Sequence, residues 1–134
     1  MPGRLGNSDI ITLEAAEAIT ALQAVIIDLN GKAILADGTT GEQADGIAQR
    51  DASIGDVVEV VIFGRTKALA GDTIQAGTDS LLMVETLTAR LIPFDGSAGG
   101  TQHSVARVIY NQNATTYADG DELEIIFTGA SLAS

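Results

Sequence analysis

The chain contains nearly the same twelve-residue segment twice. SIGDVVEVVIFG occupies residues 53–64, and ADGDELEIIFTG occupies residues 118–129. Each begins with Gly and Asp residues that favour a turn, and apolar residues then recur at every second position. That period predicts a strand with one face in a core and one face in water. The predicted core positions are Val58, Val60 and Ile62 in the first segment and Leu123, Ile125 and Phe127 in the second.

The similarity between the two parts of the chain extends upstream of these strands. Ile19-Thr20-Ala21 recurs as Ile74-Gln75-Ala76, KAILADGTTG resembles ARLIPFDGSAGG, and GIAQ at residues 46–49 matches SVAR at residues 104–107. Residues 10–64 and 65–129 therefore read as two versions of one multi-stranded unit, although chance similarity between strand-and-turn segments is an alternative. One such unit is too small to bury both faces of its strands, and two packed units solve that problem.

The expected fold is all-β. We predict one compact β-barrel or β-tulip-like domain over residues 10–134, built from two similar multi-stranded halves, with an extended N-terminal arm at residues 1–9. LEAAEAITAL at residues 13–22 is rich in helix formers, but its counterpart ALAGDTIQAG contains two glycines. We therefore expect extended structure through Leu13, followed by a turn or a single helical turn.

Composition limits the partners that the chain can bind. The formal net charge is −11, and of the seven Lys and Arg residues only Arg65 and Lys67 lie close together. A nucleic-acid binder needs a basic stripe that replaces phosphate counterions, so we expect neither nucleic acid nor an anionic membrane as a partner. No apolar run approaches the ~20 residues that cross a bilayer, and the N-terminus lacks the apolar core of a secretory signal. These features predict a soluble protein made in the cytoplasm.

No arrangement of residues points to catalysis. The chain has no cysteine, which excludes disulfides and thiolate chemistry. His103 is the single histidine and lies in the polar segment GGTQHS, where we expect a solvated loop residue and not a general base. DGDELE at residues 119–124 lacks the ligand spacing of a calcium loop, and DGSAGGT at residues 95–101 lacks the lysine of a phosphate loop. We predict that the protein is not an enzyme and uses no metal or cofactor.

Several segments together resemble the capsid decoration, or cement, proteins of tailed bacteriophages. They are a D-x-N-G-K hairpin, A-D-G-T-T-G, a G-I-A strand, G-D-x-V-x-V and G-R-T-K, and they cover nearly everything after residue 10. The resemblance implies a small β-barrel or β-tulip domain that forms a homotrimer. It also implies a virion protein on the outer capsid surface that clamps neighbouring major capsid subunits and stabilises the expanded head. Such a protein would be made in the host cytoplasm.

The resemblance further implies that an N-terminal arm reaches the capsid. MPGRLGNSD, residues 1–9, would be that arm, and a frayed terminus is the alternative. Within it, Arg4 is the only cationic side chain and Leu5 the main apolar anchor, so these two are the candidate capsid contacts. Three arms on one trimer would multiply a weak contact by avidity.

Two other classes of binding module stay open at this point. A biotinyl- or lipoyl-carrier-like domain would display a lysine at a hairpin tip, and Lys32 follows the Asn30-Gly31 turn without a modification motif around it. A carbohydrate-binding surface module would present stacked aromatic rings. The aromatic residues of the chain are Phe63, Phe94, Phe127, Tyr110 and Tyr117.

The outward positions of the two repeated strands differ in polarity. In the first strand they are Val57, Glu59, Val61 and Phe63, whereas in the second they are Glu122, Glu124, Ile126 and Thr128. Contiguous apolar surface usually marks an interface, so we predict that Val57, Val61 and Phe63 are buried against a neighbouring subunit. The alternative is a central strand that its own chain covers on both faces.

Overall fold

The architecture is all-β. The computed structural model describes residues 8–38, 41–75, 79, 81–94, 103–109 and 116–132, and within these ranges it contains eleven strands and no helix. The strands are β1 (Asp9–Glu14), β2 (Ala24–Ile27), β3 (Ala33–Leu35), β4 (Gly46–Ala48), β5 (Val57–Leu69), β6 (Ile74–Gln75), β7 (Leu81–Val84), β8 (Leu91–Pro93), β9 (His103–Val108), β10 (Thr116–Tyr117) and β11 (Glu122–Leu132). The sheet curls, so the predicted barrel-like β domain is confirmed.

One long strand, β5, joins the two parts of the sheet. Val60 and Val61 pair with both β1 and β4, so these two strands lie on opposite edges of β5. Beyond that point, Gly64–Leu69 pairs with β11. The order in the sheet is β3-β2-β4-β5-β11-β9-β7-β8, with β1 added against β5, and β6 and β10 form a separate pair.

The two halves of the domain repeat the same local hydrogen bonds. The amide of Gly55, at φ +90°, donates to the carbonyl of Ala15 at 2.8 Å. The amide of Gly120, at φ +91°, donates to the carbonyl of Ala70 at 2.7 Å. Both glycines lie in the left-handed region, which glycine enters without a steric penalty. Each turn therefore starts its strand in the same way, 65 residues apart in the chain.

The pairing of β5 shows where one half ends and the next begins. Glu14 at the end of β1 pairs with Val57 at the start of β5, and Leu69 at the end of β5 pairs with Glu122 at the start of β11. The second part of β5 thus occupies in the C-terminal half the place that β1 occupies in the N-terminal half. A single strand closes the N-terminal half (residues 9–63) and opens the C-terminal half (residues 64–132).

The structure shifts one of the sequence equivalences by two residues. Ile47 of β4 pairs with Val61, and Arg107 of β9 pairs with Ile126, the residue equivalent to Val61. The counterpart of Gly46-Ile47-Ala48 is therefore residues 106–108, whereas the sequence match had placed it at residues 104–106. The match failed because short apolar segments align equally well at several offsets, and only strand pairing decides among them.

Residues 13–22, whose composition favours a helix, form no helix and begin in an extended strand. The segment is a strand up to Glu14, as predicted, and Ala15 then makes an isolated bridge to Ala33. The first residue of β1 is Asp9, which pairs with Phe63. Asp9 therefore lies in the sheet, although the sequence had assigned it to the arm.

The apolar positions of the repeated strands build two adjoining cores. The larger core belongs mainly to the C-terminal half and contains Leu123, Ile125 and Phe127, all buried as predicted. The smaller one, in the N-terminal half, contains Val58 and Val60 together with small alanines. Ile62 is only partly buried, and it packs on the edge of this smaller core.

Gly46 is required where β4 meets β5. A Cβ at this position would lie 2.3 Å from Cγ1 of Val60 and 2.7 Å from the carbonyl oxygen of Val61, which is closer than atoms pack. We expect Gly46→Ala to lower the free energy of unfolding by about 1–3 kcal/mol, because the strands must move apart. Urea unfolding followed by circular dichroism measures this.

Gly38→Ala is the matched control, since a Cβ there would meet only the flexible carboxylate of Glu42 at 3.4 Å. Its unfolding free energy should stay within about 0.5 kcal/mol of the wild-type value. Equal stabilities for the two variants would contradict the close approach of β4 and β5.

Candidate interaction surface

The predicted interface residues do not share one environment. Val57 and Phe63 are 48% and 54% exposed, whereas Val61 is only 2% exposed. Val61 is flanked by Ile10 on β1 and by Ile47 on β4. The register of β1 against β5 shifts just before this point, between Asp9 and Ile10. The chain itself therefore buries Val61, because β5 is a central strand at this point, and Val61 needs no neighbouring subunit to cover it.

Two further apolar side chains extend the exposed surface around Phe63. Ile10 is exposed and is the cross-strand partner of Val61, and Ile126 is exposed and is the cross-strand partner of Arg65. Cross-strand partners lie on the same face of a sheet. We call Ile10, Phe63 and Ile126 the outer strip. Ile126 was recognised as an outward position, but Ile10 was not, because pairing across strands cannot be read from local periodicity.

Exposed apolar side chains also cluster at one end of the N-terminal half. Leu29 lies in the β2–β3 turn and Ile54 in the turn before β5, and both are largely exposed. Ala15 bonds to the backbone of the second turn and bridges to Ala33 beside the first, so the two turns lie at the same end. A Leu and an Ile inside turns of polar and glycine residues can be recognised from the sequence alone as candidate exposed apolar side chains.

A groove lies where the two halves of the domain meet. Its volume is about 370 Å³, and the residues that line it are Leu22, Gln49, Arg65, Thr66, Lys67 and Glu124. Two ion pairs cross the strands beside it, Arg65–Glu124 at 2.7 Å and Lys67–Glu122 at 3.9 Å. The closely spaced cations that the sequence singled out are thus engaged with carboxylates of β11.

Arg65 lowers the pKa of the Glu124 carboxyl in the groove. The hydrogen bond from the Arg65 guanidinium, and then its charge, hold the pKa of the Glu124 carboxyl below its usual value, while Lys67 contributes least. A carboxyl with a lowered pKa in the folded state favours folding above its ordinary pKa, and this contribution is lost as pH falls. The pair is exposed, so its effect on stability is small.

The groups considered for catalysis or metal binding have structural partners. Asp119 pairs with Arg90 at 3.2 Å, and the Asp121 carboxylate accepts the amide of Ala118 at 2.9 Å. Among the described residues, no three His, Asp or Glu side chains converge to hold a metal ion. The glycine-rich segment at residues 95–101 lies outside the described residues.

His103 is not the solvated loop residue that the sequence suggested. It begins β9, pairs with Leu132 and is half-buried. Its Nδ1 atom is buried and has no hydrogen-bond partner in the described structure. The polar composition of GGTQHS concealed the start of a strand, whose pairing partner is distant in the chain.

Only the last two residues of the predicted arm, Ser8 and Asp9, lie within the described residues. Arg4 and Leu5, the predicted capsid contacts, lie outside the described residues. Ser8 is described, and its hydroxyl donates a hydrogen bond to the carbonyl of Arg65. Ser8 therefore lies next to Arg65 on β5.

The structure gives little support to the carrier-like and carbohydrate-binding alternatives. Lys32 is not held clear of the surface, since its ammonium lies 3.3 Å from the Glu14 carboxylate. Phe127 and Tyr117 are buried, and Phe94 is half-buried, so Phe63 is the one largely exposed aromatic ring among the described residues. In the same part of the chain no helix is long and apolar enough to cross a membrane.

Replacing Arg65 should release Glu124 from its electrostatic partner. We expect Arg65→Gln to raise the pKa of Glu124 toward that of an ordinary glutamate, because the strongest hydrogen bond and charge are lost. An NMR titration of the side-chain carboxyl carbon measures this. Lys67→Gln is the control and should change the pKa of Glu124 less, and an unchanged value in Arg65→Gln would show that the ion pair does not persist in solution.

The fold matches a solved structure from a bacteriophage. No protein-family model and no curated protein matches this sequence. The crystal structure of the head fiber gp8.5 N base in bacteriophage phi29 aligns with a TM-score of 0.65 and 14% sequence identity. The alignment covers 90% of this chain and 93% of that chain, so the whole domain, and not one sheet alone, has the same fold.

Proposed function

We propose that this protein is a structural protein of a bacteriophage virion. It binds the outer surface of the head and cements neighbouring major capsid subunits, and it acts as a homotrimer. The observation that carries the proposal is the fold shared with a phage head fiber base over 90% of the chain. The decoration-protein resemblance, which rests on other observations, leads to the same part of the virion.

The surface of the domain suits attachment better than chemistry. The described carboxylates that could have formed a metal site pair with arginine or cap turns. An outer strip of exposed apolar residues lies on β1, β5 and β11, and a net charge of −11 keeps the remainder soluble. Apolar patches on an otherwise charged surface are typical of protein–protein contacts.

The arm and the trimer have separate roles in this proposal. The arm supplies the contact with the capsid through Arg4 and Leu5, and the apolar residues Val57 and Phe63 hold the subunits together. A trimer carries three arms, so after the first arm binds, the others bind at a high effective concentration. Weak individual contacts then give a firm attachment without any cofactor.

Removing the arm should separate attachment from folding. We expect deletion of residues 1–7 to leave the fold and the oligomer intact and to abolish binding to purified expanded heads in a sedimentation assay. The deletion keeps Ser8, whose hydroxyl bonds to the Arg65 carbonyl, and Asp9, which belongs to β1. Arg4→Glu should reduce binding in the full-length chain, and Asn7→Ser is the matched control in the same arm. Full binding by the truncated protein would show that the arm is not the contact.

An acidic residue at Phe63 should dissociate the trimer. We expect Phe63→Asp to give folded monomers by light scattering, because Phe63 is more than half exposed in the single chain and its replacement creates no buried charge. Val61→Asp is the contrasting variant, since Val61 is buried by its own chain and an unpaired buried carboxylate should unfold the domain. If Phe63→Asp keeps the wild-type mass in solution, the subunit interface lies elsewhere.

A further inference from the structure

The strand β1 has one edge that no other described strand covers. Among the described residues β1 pairs only with β5. The amide of Gln49, next to β4, donates to the carbonyl of Glu59 at 2.9 Å, so the backbone groups of Glu59 face β4. Because these groups alternate between the two edges of a strand, those of Val58 and Val60 face β1. Their partners Leu13 and Ile11 face β5 in return.

The remaining residues of β1 direct their backbone groups away from β5. The amide of Ala15 donates to the carbonyl of Asp56 at 2.7 Å, which continues the same alternation. The parallel bridge between Ala15 and Ala33 engages the outward carbonyl of Glu14, so we call the outward backbone groups of Ile10 and Thr12, with the amide of Glu14, the open edge. It ends at Ala16, whose amide donates to the carbonyl of Ala33 at 2.9 Å. The open edge therefore ends where β3 begins, because β3 runs parallel to residues 15–17 from Ala33 onward and continues away from β1.

Other edges of the sheet are protected against pairing. On β3, the outward amide of Leu35 donates to the Glu17 carboxylate at 2.8 Å. On β8, the equivalent residue is Pro93, which has no amide to donate. These are common means of blocking an edge strand. The strand β1, DIITLE, has no proline, and no described side chain accepts the amides of Ile10, Thr12 or Glu14, so it carries neither protection.

The core behind the open edge is not fully covered. Ile11 and Leu13 lie opposite Val60 and Val58, on the face that packs into the smaller core, yet both remain partly exposed. An added strand beside β1 would place alternate side chains over these residues, since side chains point to the two faces in turn.

Charge decides which kind of segment fits the open edge. Glu14 and Glu17 stand near it, and Lys32 pairs with Glu14. A second copy that paired its own DIITLE strand with this edge would bring further carboxylates against the same acidic surroundings. A segment with basic residues is attracted instead.

We propose that the open edge of β1 is a strand-addition site for an extended, basic segment of a partner protein. Alternate apolar side chains of that segment cover Ile11 and Leu13, and its backbone bonds to Ile10, Thr12 and the amide of Glu14. Main-chain hydrogen bonds give such a contact its affinity, and the apolar side chains give its specificity. The inference rests on the proposed function in one respect, namely that the segment belongs to the surface of the head.

A proline at Thr12 tests the site without touching the pairing with β5. Thr12→Pro removes one outward amide, and proline is tolerated on the open side of an edge strand. We expect at least a tenfold loss of binding to expanded heads, with the thermal unfolding midpoint close to that of the wild type. Thr12→Val, which keeps the amide, is the control and should bind as the wild type does.

The outcomes separate the two proposals. If wild-type protein binds heads and Thr12→Pro binds equally well, the proposed function stands and the strand-addition site is wrong. If wild-type protein does not bind heads, both fail. If Thr12→Pro instead lowers the mass of the free protein in light scattering, the occupant is a second copy, and the basic partner segment is excluded.

Hydrogen exchange gives a test that does not depend on the proline variant. In the free wild-type protein the amide of Thr12 should exchange quickly while that of Leu13 is protected, and bound heads should protect Thr12. Equal protection of both amides in the free protein would overturn the inference, because the edge would already be covered.

Discussion

The continuity of β5 is the constraint on which the remainder of the structure depends. Its thirteen residues serve first as the last strand of one half and then as the first strand of the other. The two cores adjoin because the same backbone runs through both. β5 also shapes the outer surface, because its exposed side chains Phe63, Arg65 and Lys67 lie on both sides of the point where the halves meet.

The matching turns and strand pairings of the two halves allow one half to be compared with the other. Where the two halves agree, as at the Gly55 and Gly120 turns, the fold requires the feature. Where they differ, a local cause or a function is needed. Val57 is exposed and apolar where the C-terminal half has Glu122, and Ile10 is exposed where β5 has Arg65. At these equivalent positions of the described strands, the N-terminal half presents apolar side chains to the surface and the C-terminal half presents charged ones.

Local patterns in the sequence predicted which residues form strands better than they predicted what surrounds each strand. Alternation identified Val58, Val60 and Ile125 as core residues, and the Asp and Gly residues located the turns. The burial of Val61 could not be predicted this way, because it depends on two neighbours, β1 and β4, that are distant in sequence. The open edge was hidden for the same reason, since an edge is defined by which strands are absent beside it. The pairing register of β4 and β9, and the strand position of His103, required the same long-range information.

The shared strand also has a consequence for how the domain comes apart. Two modules joined by a linker can open one at a time, whereas these halves have no linker between them. Loss of β5 from either core removes the pairing partner of β1 or of β11, so local opening of one half weakens the other. We therefore expect the domain to unfold in one cooperative step and to offer proteases few partly open forms.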